Sequence, residues 1–337
     1  MPERPVTLRD VAEAAGVSVA TASRALAGRG DLARSTRERV ADAAIRLGYD
    51  RNAASQGRPT TLDSRLIEIV LGTFNDAWTS GITAGAREAA FRLGYDLVLT
   101  LERQDPGDDW PTRVATRRPS GVILGLIKPT AHQLDQIHGL RIPIVLLEPR
   151  TETRGSFASV SVTNRQGGYD AGAHLVACGY SRFVIVNGVP RYRFGRAREE
   201  GFRRAIEELR PGSSIIRVDS EWSEAPLSES LLRTIAGDGS PVGTFACDDE
   251  MAFAVYRAAA QLKRRIPEDI GVVGFNDEAR ATVATPPLTS VRQPLRAIGG
   301  RAVELLSELR WRDEAPHESV EVPSELIVRS STLPVVQ

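Results

Sequence analysis

The sequence predicts an α/β protein, with a small all-α head at the N-terminus and a larger body of parallel sheets covered by helices. Three observations carry this prediction. Helix start and stop signals crowd the first sixty residues. From Arg65 onward, short apolar runs alternate with helical patterns, as in parallel strands joined by crossover helices. A chain of 337 residues suits roughly two domains.

The head reads as three short helices. Thr7 is a good N-cap, and Asp10 favours the first turn by its charge. Leu8, Val11, Ala12 and Ala15 then form one apolar face at helical spacing, and Gly16 permits a tight reversal. Ser18 caps a second helix from Val19 to about Ala27, with Ala22 and Leu26 directed inward and Ala20, Thr21 and Arg24 directed elsewhere. A third helix is expected from Thr36 to Leu47, opened by a capping box at Ser35–Glu38 and stopped at Gly48. Two helices joined by a glycine-containing turn form a helix-turn-helix, whose second helix can enter the major groove. Short residues at the start of that helix let the backbone approach base edges, and Arg24 supplies a donor for phosphate or guanine. On spacing alone, a small helical bundle with no role in DNA binding fits as well.

In the body, strands are expected at RLIEIVLG, YDLVLTL, GVILGLI, IPIVLLE, RFVIVNG, SIIRV, VGTFAC and IGVVGF. Helices are expected at 82–94, 165–178, Ala197–Leu209, Leu227–Ile235 and Glu250–Leu262. Ligands of such folds bind outside the carboxyl ends of the strands. Glu148, Trp222, Asp248 and Asn276 each stand just past a strand, as do Asp249 and Asp277. Arg198 opens the helix after Phe194-Gly195, and Trp78 sits at the start of the first body helix. Planar polar side chains can span adjacent sugar hydroxyls, and tryptophan offers a face to the C–H side of a ring. Strand-end Asp and Asn also cap helices. Asp249 and Asp277 are read as caps, Arg198 and Asp248 as ligand contacts, and Trp78 and Glu148 fit either role.

Composition narrows the classes. Hydrophobic residues are 42% and charged residues 26%, ordinary for a globular protein. No apolar run approaches the ~20 residues of a membrane helix. The opening MPERPVTLRD lacks the apolar stretch of a secretory signal, so a cytoplasmic location is expected. The net charge of +0 hides an asymmetry: residues 1–58 hold ten Arg against seven Asp or Glu, so +3, and the remainder carries −3. A basic head on an acidic body fits nucleic-acid binding by the head alone. Cys178 and Cys247 lack metal-type spacing and read as reduced thiols, and His174 reads as a packed helix residue. There is no G-x-S-x-G elbow, P-loop or metal signature. No catalytic residue, metal or cofactor is therefore assigned, and an enzyme is not expected.

The stretch VTLRDVAEAAGVSVATASRAL and its sequel STRERVADAAIRLGYDRNAAS closely resemble the DNA-binding head of the LacI/GalR (lactose-repressor) family, without gaps. The resemblance implies that Val19, Ala20 and Arg24 read bases, and that Thr7, Ser18, Thr21 and Ser23 contact or support the DNA backbone. Where the family often carries an asparagine contact, this chain has Ala27. Val19 and Ala20 can meet thymine methyl groups without hydrogen bonding, which leaves base discrimination to Arg24. Asn52 to Arg58 corresponds to the family's hinge helix, which adds Asn52 and Arg58 to the DNA-binding set. Arg58 stands where the family inserts a leucine into the minor groove, and Gly57 weakens the short helix by ~1 kcal/mol. A shallower operator kink follows as an expectation.

IPEDIGVVGFND, PPLTSVRQPLRAIG and GYSRFVIVNG extend the resemblance over nearly the whole chain. It implies a two-lobed, periplasmic-binding-protein-like fold. The head and hinge would occupy 1–58 and the effector-binding and dimerisation domain 62–337. Lobe 1 would cover about 62–160 and 291–322, and lobe 2 about 161–290 and 323–337. It implies effector contacts at Arg198, Trp222, Asp248, Asn276 and Gln293, with Arg198 in a matching R-x-x-G pattern. The family usually has Asn at 248 and Asp at 276, so the exchange here is expected to move negative charge across the cleft. The function implied is a sequence-specific DNA-binding transcription regulator, a repressor of carbohydrate-utilisation genes that a small sugar releases from a near-palindromic double-stranded operator. The final residues, 333–337, form no heptad tail, so a homodimer is expected, nucleoid-associated and without a membrane.

Overall fold

A computed structural model describes residues 6–26, 33–47, 64–103, 109–127, 129–140, 142–151, 157–222, 227–309 and 318–332. The chain divides into two compact units, Met1–Asp63 and Ser64–Gln337.

In the first unit, α1 (Leu8–Ala15), α2 (Val19–Leu26) and α3 (Arg34–Leu47) pack around Val11, Ala12, Ala15, Ala22, Val40 and Ala43. Small side chains let the three helices approach closely. Thr7 and Asp10 form a reciprocal capping box, and Gly16 ends α1 in the left-handed conformation at φ 64°. Thr21 N–H donates to Ser18 Oγ at 3.1 Å, which places Ser18 as the cap of α2. The third helix departs from expectation. It begins at Arg34, so Ser35 lies inside its first turn, and Thr36 N–H donates to the Ala33 carbonyl at 2.9 Å. Arginine is a good helix former, and here it extends the helix past the position read as a cap.

In the second unit, the first sheet comprises β1 (Leu66–Leu71), β2 (Asp96–Leu101), β3 (Gly121–Gly125), β4 (Ile144–Leu147), β5 (Ala158–Val162) and β11 (Ser319–Val322). Their spatial order is β11-β5-β4-β3-β1-β2, all parallel. The second sheet comprises β6 (Phe183–Val189), β7 (Ile215–Glu221), β8 (Val242–Ala246), β9 (Ile270–Asn276), β10 (Thr289–Arg292) and β12 (Glu325–Ile327). Its order is β12-β10-β9-β8-β6-β7, parallel except for β12. The chain crosses between the sheets after Val162, after Arg292 and after Val322.

Strands β3, β5 and β8 are buried along their whole length, as sheets covered on both faces require. The covering helices of the first lobe include α4 (Ala77–Leu93), α5 (Trp110–Arg117), α6 (Ala131–His138) and α12 (Leu295–Leu309). Those of the second are α7 (Asn164–Ala177), α8 (Arg193–Leu209), α9 (Glu229–Ala236), α10 (Asp249–Gln261) and the short α11 (Ala279–Val283). Two helix pairs touch through glycine. A Cβ on Gly201 of α8 would lie 1.9 Å from the Arg165 carbonyl oxygen of α7, and one on Gly85 of α4 1.9 Å from the Arg296 carbonyl oxygen of α12. No described helix is long and apolar enough to cross a membrane.

Several expected elements shift. The helix expected from residue 82 starts at Ala77, because the Asp76 carboxylate accepts from Thr79 N–H at 2.7 Å. The helix expected from Ala197 starts at Arg193, so Arg198 sits in its second turn rather than opening it. Helices α5, α6, α11 and α12 and strands β5, β10, β11 and β12 are not among the elements expected from the sequence.

Candidate functional site

On the head, α2 turns Ala22 inward, fully buried, which leaves Val19, Ala20 and Arg24 exposed on its other face. Ser18 and Thr21 share a hydroxyl contact of 2.8 Å at the start of this helix. Thr7 commits its hydroxyl to Asp10 at 2.7 Å, and Ser23 is half-buried. Arg24 makes a long 3.4 Å contact from Nε to the Ala20 carbonyl. The start of α2 and its outward side thus present Ser18, Val19, Ala20, Thr21 and Arg24. Ala27, Gly48, Asn52, Gly57 and Arg58 lie outside the described residues.

In the second unit, the carboxyl ends of both sheets open on a cavity of about 660 Å³. The first lobe contributes Asp76 and Trp78 from the start of α4, and Glu148 and Arg150 from the turn after β4. The second lobe contributes Tyr192, Phe194, Arg198, Trp222, Asp248 and Asn276, and Gln293 stands at the second crossing. The fold therefore gathers Trp78, Glu148, Arg198, Trp222, Asp248, Asn276 and Gln293 around one space.

A polar chain runs through the floor. Glu148, only 2% exposed, accepts from Val162 N–H and, at 3.0 Å, from Asn164 Nδ2. Asn164 Oδ1 accepts from Arg198 Nε at 2.8 Å, and Arg198 Nη1 donates to the Cys247 carbonyl at 2.7 Å. The Arg198 guanidinium lies 3.6 Å from the centroid of Phe275. Burial pushes the Glu148 carboxyl up, and Arg198 opposes that shift. Asn164, the first residue of α7 and two positions past the end of β5, thereby joins a carboxylate of one lobe to a guanidinium of the other. Sequence reasoning missed it, although it opens a helix.

A second polar cluster lines the far wall. Asp248 Oδ1 accepts from Glu250 N–H at 2.8 Å, so Asp248 is the cap of α10 while also facing the cavity. Asn276 Nδ2 donates to Asp248 Oδ2 at 2.9 Å, and Gln293 Nε2 donates to Asn276 Oδ1 at 2.5 Å. Residues 248 and 276 are therefore neighbours. Exchanging amide and carboxylate between them moves the charge by one hydrogen bond, not across the cleft as the sequence suggested. Burial and the nearby Glu278 push the Asp248 carboxyl up to about 7.

The two residues read as caps have other roles. Asp249 is fully buried, where it accepts from Ser290 Oγ at 2.6 Å and Glu278 N–H at 2.8 Å. Asp277 pairs with Arg292 and Arg329 at 2.7 Å each. Asp249 thus ties Ser290 of β10 to the start of α11 instead of capping α10, and Asp277 is taken by two arginines.

An aromatic wall completes the cavity. Trp222 packs 4.8 Å from Phe194 and 5.8 Å from Tyr192, centroid to centroid, and its Nε1 donates to the Pro190 carbonyl at 2.8 Å. A Cβ on Gly188 would come within 2.2 Å of the indole, so the glycine makes room for it. With its N–H already bonded, Trp222 offers a ring face rather than a donor. Tyr192 and Phe194 carry no strand-end signature, and only the fold brings them to Trp222. Among the described residues, no group of three or more His, Cys, Asp or Glu could hold a metal ion, and Cys178 and Cys247 are both buried free thiols.

Two lobes that flank a polar and aromatic cleft, in a chain with a helix-turn-helix head, define a ligand-binding DNA-binding protein. Residues 7–52 match the family model described as bacterial regulatory proteins, lacI family, and residues 173–332 match the periplasmic binding protein-like domain. The HTH-type transcriptional regulator MalR of Streptomyces coelicolor is 31% identical over 347 residues, covering 96% of this chain and 96% of that protein. Catabolite control protein A of Priestia megaterium is 26% identical over 331 residues, covering 97% of this chain and 99% of that protein. Among solved structures, the complex of transcriptional regulator CelR with cellobiose matches with a TM-score of 0.69 at 26% identity, over 97% of this chain and 100% of that one. The lac repressor dimer bound to operator and the anti-inducer ONPF shares the fold, with a TM-score of 0.69 at 24% identity over 98% of this chain and 100% of that one. The chain belongs to the lacI family of bacterial regulatory proteins and is a DNA-binding transcription regulator.

Proposed function

We propose that this regulator is a repressor of carbohydrate-utilisation genes, and that a small sugar bound in the cleft releases it from DNA. The observation that carries the reading is the cleft itself. About 660 Å³ lies between a row of planar polar side chains and the face of Trp222, which is the chemistry a pyranose presents on its edges and its C–H face. A cellobiose-bound relative of the same fold supports the sugar class.

In this reading Arg198, Asp248, Asn276 and Gln293 contact hydroxyls, Trp222 and Trp78 stack, and Glu148 orients Arg198. The face of α2 enters the major groove, where Val19, Ala20 and Arg24 read bases and Thr7, Ser18, Thr21 and Ser23 serve the backbone. Asn52 and Arg58 belong to the hinge. A homodimer presents two heads to a near-palindromic operator. Sugar closes the cleft, and by linkage DNA weakens sugar binding by the same factor. The protein acts in the cytoplasm at the nucleoid and catalyses no reaction.

The test is a thermal-shift screen of the full chain against mono- and disaccharides, their phosphates and purines, followed by operator binding with each hit. Binding stabilises by RT ln(1 + [L]/Kd), so millimolar ligand reveals a micromolar site. A sugar that raises the melting temperature and weakens operator binding supports the reading. Hits confined to purines overturn the effector class.

A further inference from the structure

Hydrogen-bond acceptors dominate the cleft wall. Asp76, Glu148, Asp248, Glu250 and Glu278 place five carboxylates around the cavity, against the two guanidiniums of Arg150 and Arg198. The Arg198 guanidinium is engaged: it donates to Asn164 and Cys247 and faces Glu148. Arg150 lies 4.9 Å over the ring of Tyr192, and its buried Nε has no hydrogen-bond partner, a donor that a sugar hydroxyl can meet as an acceptor. Glu250 is paired with Arg280. That leaves Asp76 of the first lobe and Asp248 and Glu278 of the second without an ion pair among the described residues. Burial pushes the Glu278 carboxyl up, and Glu250 and Asp76 push it the same way, so the like charges of the two lobes feel one another across the opening.

A second observation is independent of charge. Gln293 lies on the same wall, 6% exposed. Its Nε2 donates to Asn276, but its buried Oε1 has no hydrogen-bond partner. A buried acceptor without a donor is costly, and here the ligand is the group that can supply the donor.

We infer that the ligand is a sugar in its free hydroxyl form, carrying neither phosphate nor carboxylate. This rests on the sugar reading above and narrows it. Every sugar hydroxyl can donate to a wall of this kind. A phosphate carries about −1.5 to −2 charges at neutral pH and mainly accepts, so it meets like charge from both lobes as they close.

The experiment is calorimetric titration of the full chain at pH 7.5 with glucose, galactose, ribose, cellobiose, maltose and lactose. Glucose 6-phosphate, galactose 6-phosphate, ribose 5-phosphate, cellobiose 6′-phosphate and galacturonate complete the panel. At least one neutral sugar is expected to bind, with its phosphorylated form ~100-fold weaker or more, the scale of a like-charge juxtaposition. Glu278→Gln and Asp76→Asn should each narrow that ratio, and asparagine at 76 keeps the cap of α4. A phosphate or uronate bound within about tenfold of its neutral counterpart, or a ratio unchanged in both variants, overturns the inference and leaves the sugar reading standing. Silence across the whole panel overturns both.

Discussion

Asn276 Nδ2 donates to Asp248 Oδ2 at 2.9 Å, tying the ends of β8 and β9 together at the cleft wall. The carboxylate cannot be treated as permanently ionised. Burial first, then Glu278, lifts it to about 7 from an ordinary 3.8, while the Glu250 amide, Arg198 and Asn276 hold it down. The folded protein without ligand therefore retains a proton that the unfolded chain has lost. Between about pH 4 and 7, this group makes stability fall as pH rises, because the native state binds more protons than the unfolded one.

Ligand binding reverses that bias. A sugar hydroxyl that donates to Asp248 favours the ionised form and so expels the proton. Affinity for the sugar should rise from pH 6 to pH 8, by at most about tenfold per unit below 7 and levelling above it. Titrations at three pH values test this, with Asp248→Asn expected to flatten the profile. A flat profile in the unaltered protein sinks the assignment of Asp248 as an acceptor for the ligand.

Arg198→Ala should cost more than the effector response. The side chain is 4% exposed, and its removal takes from Glu148, itself 2% exposed, the cation that opposes its burial most, leaving only the weaker influence of Arg193. Breaking a buried charge pair on one side costs about 3–5 kcal/mol. Lost effector response with DNA binding intact is therefore expected only where the variant is still folded. Urea unfolding should show the loss, and adding Glu148→Gln should restore part of it. An Arg198→Ala protein as stable as the parent would show that the Glu148–Asn164–Arg198 chain contributes little.

The elements legible in the sequence were those with local cause. Thr7, Asp10 and Gly16 bound α1 by capping chemistry that acts over a few residues, and apolar runs such as 242–247 announce buried strands. Strand-end residues were legible as a set because the fold class fixes where strands end. What the residues do once gathered was not. Asp248 and Asp249 are adjacent and chemically alike, yet one caps α10 beside the cleft and the other is buried against Ser290, forty-one positions away. Tyr192, Phe194 and Asn164 join the site only through contacts between segments far apart in the chain, which no periodicity records.

The R-x-x-G spacing from Arg198 to Gly201 has a packing cause that yields a further prediction. Gly201 faces α7 so closely that an added Cβ would stand 1.9 Å from the Arg165 carbonyl oxygen, and one on Gly168 2.0 Å from that of Arg198. Backbone cannot yield as a side-chain tip does, so Gly201→Ala should destabilise by ~1–3 kcal/mol or more. It should also displace Arg198, one turn earlier on the same helix. Gly300→Ala is the matched control. Its nearest neighbours would be at 3.7 and 3.8 Å, so the gain in helix propensity, about 1 kcal/mol, is unopposed. Melting temperatures should move in opposite directions. A shift of the same sign in both would show that close approach does not explain the glycine at 201.

Arg24 is the prediction on which reading of the operator depends. It is exposed on the same face of α2 as Val19, itself 44% exposed, and Ala20. Neither neighbour has a side-chain donor or acceptor, so each can meet a thymine methyl but cannot tell guanine from adenine by hydrogen bonding. The Arg24 Nε contact to the Ala20 carbonyl is long, at 3.4 Å, and a guanine O6/N7 edge would readily replace it. Arg24→Ala should therefore weaken operator binding by ~1–3 kcal/mol and relax preference at one base pair in each half-site. Fluorescence anisotropy against every single-base variant of the operator separates the possibilities. A loss concentrated at one position identifies base reading. A uniform loss across all sequences, with a shallower salt dependence, would reassign Arg24 to the phosphate backbone and leave this helix with apolar contacts alone to choose its site.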